Sequence, residues 1–181
     1  MKKILACTLS IILILQFSSC SDVYKEVVLT DVGEYTDMWS LPERMGNNPS
    51  VLFPSDVAEE TCTFFFCKHS TYHLVGTGWQ TVLTMQYDHI SFLQEVERLQ
   101  NLCKNSPLCG ETKFFDVPSY ASVWNWESCF EYAVINENTK TISYIYLQFI
   151  DKEDVVIDTC YVPKGYEEEM SDSQSYSVYW E

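Results

Sequence analysis

Basic residues and long apolar runs are both scarce in this sequence of 181 residues. Eleven lysines and arginines stand against 26 aspartates and glutamates, so the net charge at pH 7 is −15. A charge of this sign disfavours binding to nucleic acid, whose phosphates attract basic surfaces. The apolar run from Ile4 to Leu15 has about a dozen residues, short of the roughly 20 that a membrane-spanning helix needs. The sequence therefore predicts neither contact with nucleic acid nor a spanning helix.

Motifs for catalysis are also missing, because the sequence has no Gly-x-Ser-x-Gly turn and no complete phosphate-binding loop. Cys67, His69 and His73 have zinc-ligand chemistry at spacings of two and four residues, but no fourth ligand lies nearby in the sequence. Acidic residues such as Glu127 and Glu131 are too numerous for a pair to be specific. We predict no enzymatic activity, no cofactor and no metal site, and a metal-dependent enzyme is the least favoured alternative.

The N-terminal segment has the layout of an export signal. Two lysines follow Met1, the apolar run Ile4–Leu15 comes next, and small residues lead to Cys20, as in secretory signal peptides. Phe17-Ser18-Ser19-Cys20 resembles the lipobox of bacterial lipoproteins, with phenylalanine where that class usually has leucine or another aliphatic residue. The resemblance implies cleavage before Cys20 and attachment of diacylglycerol to its thiol. An ordinary secretory signal with a coincidental cysteine, or an uncleaved anchor, are the alternatives.

The lipoprotein interpretation predicts a protein held outside the cytoplasm on the cell membrane or the outer membrane. Two or three acyl chains, at about 0.8 kcal/mol per buried methylene, give nearly permanent attachment. Removal of the predicted signal peptide, residues 1–19 of 181, leaves 162 residues with nine basic and all 26 acidic side chains, a net charge of −17. Solubility alone can explain this charge. We expect the domain to stand off the membrane on a tether.

The remaining sequence predicts an α+β domain over residues 51–166, between a lipidated tether at 20–50 and an acidic flexible tail at 167–181. We expect an antiparallel sheet of about five strands in the order ββ-α-βββ, with one main helix packed on a face. The predicted elements are strands at 61–68 and 79–88, a helix that Ser91 begins and that runs to about Cys103, and strands at 129–135, 141–150 and 155–162. A register with Tyr132 opposite Ile145 places apolar side chains on both faces of the middle strand.

Six cysteines lie in the predicted domain, and an even number outside the cytoplasm permits disulfide bonds. We expect Cys103 and Cys109 to bond, since they bracket the turn at the end of the helix and close a short loop. Cys129 and Cys160 fall on strands that flank a third, roughly 9–10 Å apart, whereas a disulfide requires α-carbons within about 7 Å. We therefore expect no bond between Cys129 and Cys160.

Aromatic residues cluster around Trp124 and Trp126, with Tyr120 preceding them. Together with Tyr144 and Tyr146, they could form a stacking platform for a carbohydrate or a peptide, but packing within a small core explains them as well. The element order with an acidic mature domain resembles small bacterial lipoproteins, and this resemblance implies no activity. We predict a membrane-anchored domain with a non-catalytic binding or interaction role. A surface ligand-binding lipoprotein that uses Trp124 and Trp126 is the alternative.

Overall fold

The computed structural model describes residues 24–38, 51–72, 76–106, 109–124, 129–148, 150, 152–164 and 166, which form an α+β fold. Seven strands make one antiparallel sheet in the order β1-β2-β3-β7-β6-β5-β4. The strands are β1 (Tyr24–Leu29), β2 (Cys62–Tyr72), β3 (Gly76–Gln86), β4 (Cys109–Glu111), β5 (Ser119–Trp124), β6 (Cys129–Asn136) and β7 (Thr141–Gln148). The helices of this described part are α1 (Tyr35–Met38) and α2 (His89–Asn105), and neither has the length and apolar character needed to cross a membrane.

The sheet has more strands than the predicted five. Strand β1 lies within the predicted tether at 20–50, so the fold begins at residue 24 and not at 51. Strands β4 and β5 lie between the predicted helix and the predicted strand at 129–135, where we predicted no strand. All three are short and lie toward the margins of the sheet, and β1 pairs with β2, a segment distant in the sequence. Short strands of this kind have a weak local sequence signal.

The predicted strand at 155–162 is wrong. This segment follows a 3-10 turn at Lys152–Asp154 and contains another at Thr159–Tyr161. The side chain of Gln80 in β3 supplies hydrogen bonds that a neighbouring strand would otherwise provide. Its amide nitrogen donates to the carbonyl of Asp154 at 2.9 Å, and its amide oxygen accepts from the Val156 amide at 2.8 Å. These two backbone groups are thus hydrogen-bonded without strand pairing.

Helix α2 begins two residues before the predicted Ser91. Asp88 caps it, since its carboxylate accepts from the amides of Ile90 at 2.8 Å and Ser91 at 3.1 Å. The Ser91 hydroxyl also donates to Asp88, so Ser91 supports the cap and is not the cap itself. Phe92 and Leu99 are buried, whereas Leu93, which we placed on the apolar stripe, is exposed.

The predicted register of the last hairpin is confirmed, because Tyr132 lies opposite Ile145. Side chains from both faces of the sheet are buried. One face, called here the helix face, packs against α1, α2 and residues 51–53 and includes Leu83, Ile142 and Tyr144. The opposite face is covered by side chains from residues 114–115, 155–162 and 166. Its core consists of Val82, Ala121, Phe130, Tyr132, Ile145, Leu147, Ile157 and Tyr166.

The first hairpin is longer than predicted. The predicted strands at 61–68 and 79–88 leave residues 69–78 between them, but Ser70 pairs with Gly78 and Tyr72 pairs with Gly76. The two glycines lie within β3, where pairing to β2 on one side overrides their weak strand preference. As a result, β2 and β3 each have 11 residues and form the longest pair in the sheet.

Candidate functional site

The residues that carry the predicted functions fall partly within the described structure. Cys20, His73 and Trp126 lie outside the described residues. Trp124 is the last residue of β5, and its backbone pairs with Cys129 of β6, but its side chain lies outside the description. The predicted disulfide joins Cys103 to Cys109, with α-carbons 4.5 Å apart. Cys160 carries a free thiol, which agrees with the prediction that it does not bond to Cys129.

A row of buried polar side chains crosses the helix face of the sheet. The strand registers align Cys67, Thr81, Tyr146, Glu131 and Ser122 on five consecutive strands. Each is 3% exposed or less. Polar groups at this depth need hydrogen-bond partners. The partners of these side chains therefore indicate whether the row maintains the fold or binds a ligand.

Trp79 fills the space beside this row and is fully buried. Its indole Nε1 donates to Thr81 Oγ1 at 2.9 Å and to Cys67 Sγ at 3.2 Å. The ring meets His69 edge to face at 5.1 Å and Tyr146 at 5.7 Å between centroids. Such contacts pack the aromatic core and orient it.

Cys67 and His69 share one face, as their spacing predicts, but they lie against Trp79 in the core. Within the part of the chain that the structure describes, no group of three or more His, Cys, Asp or Glu side chains could hold a metal ion. Two residues nearer the start of β3, another row on this face contains Trp79 and Gln148, and Gln148 accepts from the Tyr146 hydroxyl at 2.6 Å. These polar groups bind one another.

Glu131 has a specific structural role that the sequence did not reveal. It is fully buried, and its Oε2 accepts from the backbone amides of Val51 at 2.9 Å and Leu52 at 3.0 Å. Residues 51–53, called here the strap, are also held from α2, because Arg98 donates to the Leu52 carbonyl at 2.5 Å. The available signal in the sequence was a carboxylate between Phe130 and Tyr132 in a strongly apolar strand. If such a strand is buried on both faces, its carboxylate needs hydrogen-bond donors.

Two tyrosines extend the contacts of Arg98 into the sheet. Tyr144 donates to Glu95, which bonds Arg98, and the Tyr87 and Tyr144 hydroxyls lie 3.1 Å apart. Burial raises the pKa of Tyr87 to about 12 and raises that of Tyr144 well above its ordinary value. Both phenols therefore stay protonated at neutral pH and act as donors, so this network positions α2 and does not supply a base.

The free thiols are not activated nucleophiles. Burial raises the pKa of Cys62 and of Cys67 above its ordinary value, and Cys160 is shifted the same way, with Asp158 adding to the effect. A reactive cysteine needs the opposite shift, because the thiolate is the attacking species. The raised pKa values therefore give no support for a nucleophilic role of these three cysteines.

A cleft of about 340 Å³ opens between α2 and the sheet. Val96 and Gln100 of the helix form one side, and Glu111, Tyr120 and Ile135 of β4, β5 and β6 form the other. The cleft presents both polar and apolar surface, and could take a small polar molecule. Its β4 wall begins at Cys109, so the disulfide ties the two sides together.

Replacing both Cys103 and Cys109 with serine is expected to lower the free energy of unfolding by about 2 kcal/mol, because the bond closes a short loop and restricts the unfolded chain. Urea denaturation of the oxidised wild type and the double variant measures this difference. Reduced wild type provides the control and should match the variant. An oxidised wild type no more stable than the variant would contradict the expectation.

Comparison of the chain with protein-family models, with curated proteins and with solved structures found no match.

Proposed function

We propose that this chain is a lipid-anchored domain outside the cytoplasm, with a non-catalytic binding or interaction role. The observation that carries this proposal is the export-signal layout that ends at Cys20, within the lipobox-like Phe17-Ser18-Ser19-Cys20. A folded strand begins four residues later, at Tyr24. A signal, a lipid-acceptor cysteine and a folded domain in this order are the parts that a lipoprotein needs.

Three features of the described residues support the proposal. The Cys103–Cys109 disulfide is suited to an oxidising compartment. The buried carboxylate of Glu131 is engaged in holding the strap, and the thiols of Cys62 and Cys67 have raised pKa values. The chemically capable groups of the core are thus used to maintain the fold, which favours a role in binding over one in catalysis.

The intact mass of the membrane-extracted protein, measured with and without reduction, tests the proposal. We expect a chain that begins at Cys20 and carries diacylglycerol, with a further acyl chain where the new amino terminus is modified. Reduction should add the mass of two hydrogens for each disulfide. A mature N-terminus at any other residue would contradict the lipoprotein interpretation.

A second candidate function is binding of a carbohydrate or peptide through Trp124 and Trp126. It is favoured by the position of Trp124 as the last residue of β5, two residues before Trp126 in the sequence. Two tryptophans this close in the sequence supply large aromatic faces on which a sugar or a peptide could stack.

Replacing Trp124 with alanine should weaken retention on arrays of oligosaccharides and extended peptides by roughly tenfold, the loss expected for one stacking contact. Phenylalanine at position 124 is the matched control, because it keeps an aromatic face and should retain most of the binding. Unchanged retention of the alanine variant, or no retention of the wild type on either array, would count against this function.

A further inference from the structure

We propose that one end of the sheet is held directly against the bilayer, with the strands directed away from it. This inference rests on the proposed lipid anchor at Cys20 and adds the surface that meets the membrane. The near end is defined as the end where β1 begins at Tyr24, β2 ends at Tyr72 and β3 begins at Gly76. The far end is where β2 begins at Cys62 and β3 ends at Gln86.

The chain between the proposed anchor and the fold is very short. Only Ser21, Asp22 and Val23 separate Cys20 from β1. Four α-carbon steps reach at most about 14 Å even when fully extended. The headgroup layer of one leaflet is about 5–7 Å thick, so the start of β1 lies within or just above that layer. This connection is therefore too short to lift the domain off the membrane, unlike the tether that we expected at 20–50.

Strand pairing places the ends of two further strands beside the start of β1, because β1 is antiparallel to β2 and β2 is antiparallel to β3. Tyr24 pairs with Tyr72, and Tyr72 also pairs with Gly76 of β3. A connection that fixes the start of β1 therefore brings the ends of three strands to the membrane. Lys25, the first side chain described on β1, is exposed at this end.

The two ends of the sheet differ in charge. The far end has acidic side chains after β1, before β2, after β3 and after β6, namely Asp31, Glu59, Glu60, Asp88 and Glu137, all exposed. Nearer the other end, exposed Lys25 lies beside an ion pair between Glu26 and Lys68 at 3.0 Å, and the turn that follows β7 adds exposed Lys152, Glu153 and Asp154. These three basic and three acidic side chains cancel, so the described part of the near end has no net charge while the far end is acidic. An anionic leaflet repels the far end over about one Debye length, roughly 8 Å at physiological salt. The sheet consequently stands upright and does not lie flat.

The distance between the two ends makes the orientation measurable. Strand β3 rises about 3.3 Å per residue, so Thr77, which pairs beside Lys25, lies about 30 Å from Gln86. Asn138, in the turn that follows β6, is exposed at the far end. A quencher that acts only on contact and sits in the headgroups can therefore reach one label and not the other.

The test uses the full lipidated protein in vesicles of phosphatidylethanolamine and phosphatidylglycerol that contain a nitroxide-headgroup lipid. An azide-bearing amino acid replaces either Lys25 or Asn138 and is coupled to one fluorophore. We expect the label at position 25 to lose roughly half of its fluorescence and the label at position 138 to lose less than about a tenth, as their separation requires. Equal quenching of the two labels would overturn the proposal.

A longer connection is the matched control. Twelve glycine and serine residues inserted between Ser21 and Asp22 leave the lipobox-like motif intact and add a coil of about 19 Å root-mean-square length. Quenching at position 25 should then fall at least twofold, and unchanged quenching would overturn the role of the short connection. The mass of each variant separates the two proposals. An acylated protein quenched equally at both ends refutes the orientation alone, and a protein without acyl chains refutes the anchor and the orientation together.

Discussion

Replacing Cys20 with serine is expected to move nearly all of the protein from the membrane fraction to the soluble fraction. The hydroxyl of serine does not replace the thiol that accepts diacylglycerol, so the acyl chains are lost. The apolar run Ile4–Leu15 does not substitute for them, because it is too short to span a bilayer as a helix. Fractionation of cells, followed by detection of the protein in each fraction, measures the change.

Cys7 provides a matched control for this experiment. It lies inside the apolar run, with too little apolar sequence before it to form a signal of its own. The Cys7→Ser variant should therefore stay in the membrane fraction with the wild type. Membrane retention of the Cys20→Ser variant would contradict the lipid anchor and favour an uncleaved N-terminal anchor.

Replacing Glu131 with alanine is expected to lower the free energy of unfolding by roughly 3–5 kcal/mol. The substitution leaves two backbone amides, those of Val51 and Leu52, without their carboxylate acceptor. A buried donor that loses its acceptor costs about 1–3 kcal/mol, and the emptied side-chain volume adds a cavity. Urea denaturation gives the loss of stability, and limited proteolysis should show new cleavage at the strap.

Two further variants separate the hydrogen bonds of Glu131 from general effects of substitution. Glutamine at position 131 retains an acceptor oxygen, so we expect a smaller loss of about 1–2 kcal/mol. Glu137→Ala removes an exposed carboxylate in the turn directly after β6 and should change stability by less than about 0.5 kcal/mol. A loss below about 1 kcal/mol for Glu131→Ala would show that Glu131 does not hold the strap.

Much of the central sheet could be predicted because its signals are local. Strands β6 and β7 have β-rich runs joined by a short polar turn, in which Asn136 Oδ1 accepts from the amides of Asn138 and Thr139. Lys140 completes the turn with a positive φ of 55°. Once this turn sets the register, the alternation of side chains assigns every residue to a face. The Cys103–Cys109 bond was predictable for the same reason, since its loop is short and local.

The margins of the sheet could not be predicted in this way. Strand β1 has only six residues, and its partner β2 begins more than thirty residues later in the chain. The segment after residue 151 is apolar and β-branched, yet Gln80 binds its backbone from the sheet and holds it in turns. In both places, contacts with distant residues decide a conformation for which the local propensity is weak.

The sequence by itself determined the acidic charge, the central strands and the helix, and it predicted the export signal, because composition and periodicity are properties of neighbouring residues. The tertiary structure alone decided that Glu131, among many acidic residues, is buried against the strap, and that Cys67 and His69 pack around Trp79. It also decided that the fold begins only four residues after Cys20. Burial and pairing depend on which distant segments meet, and the free energy of those contacts cannot be predicted from the pattern of neighbouring residues.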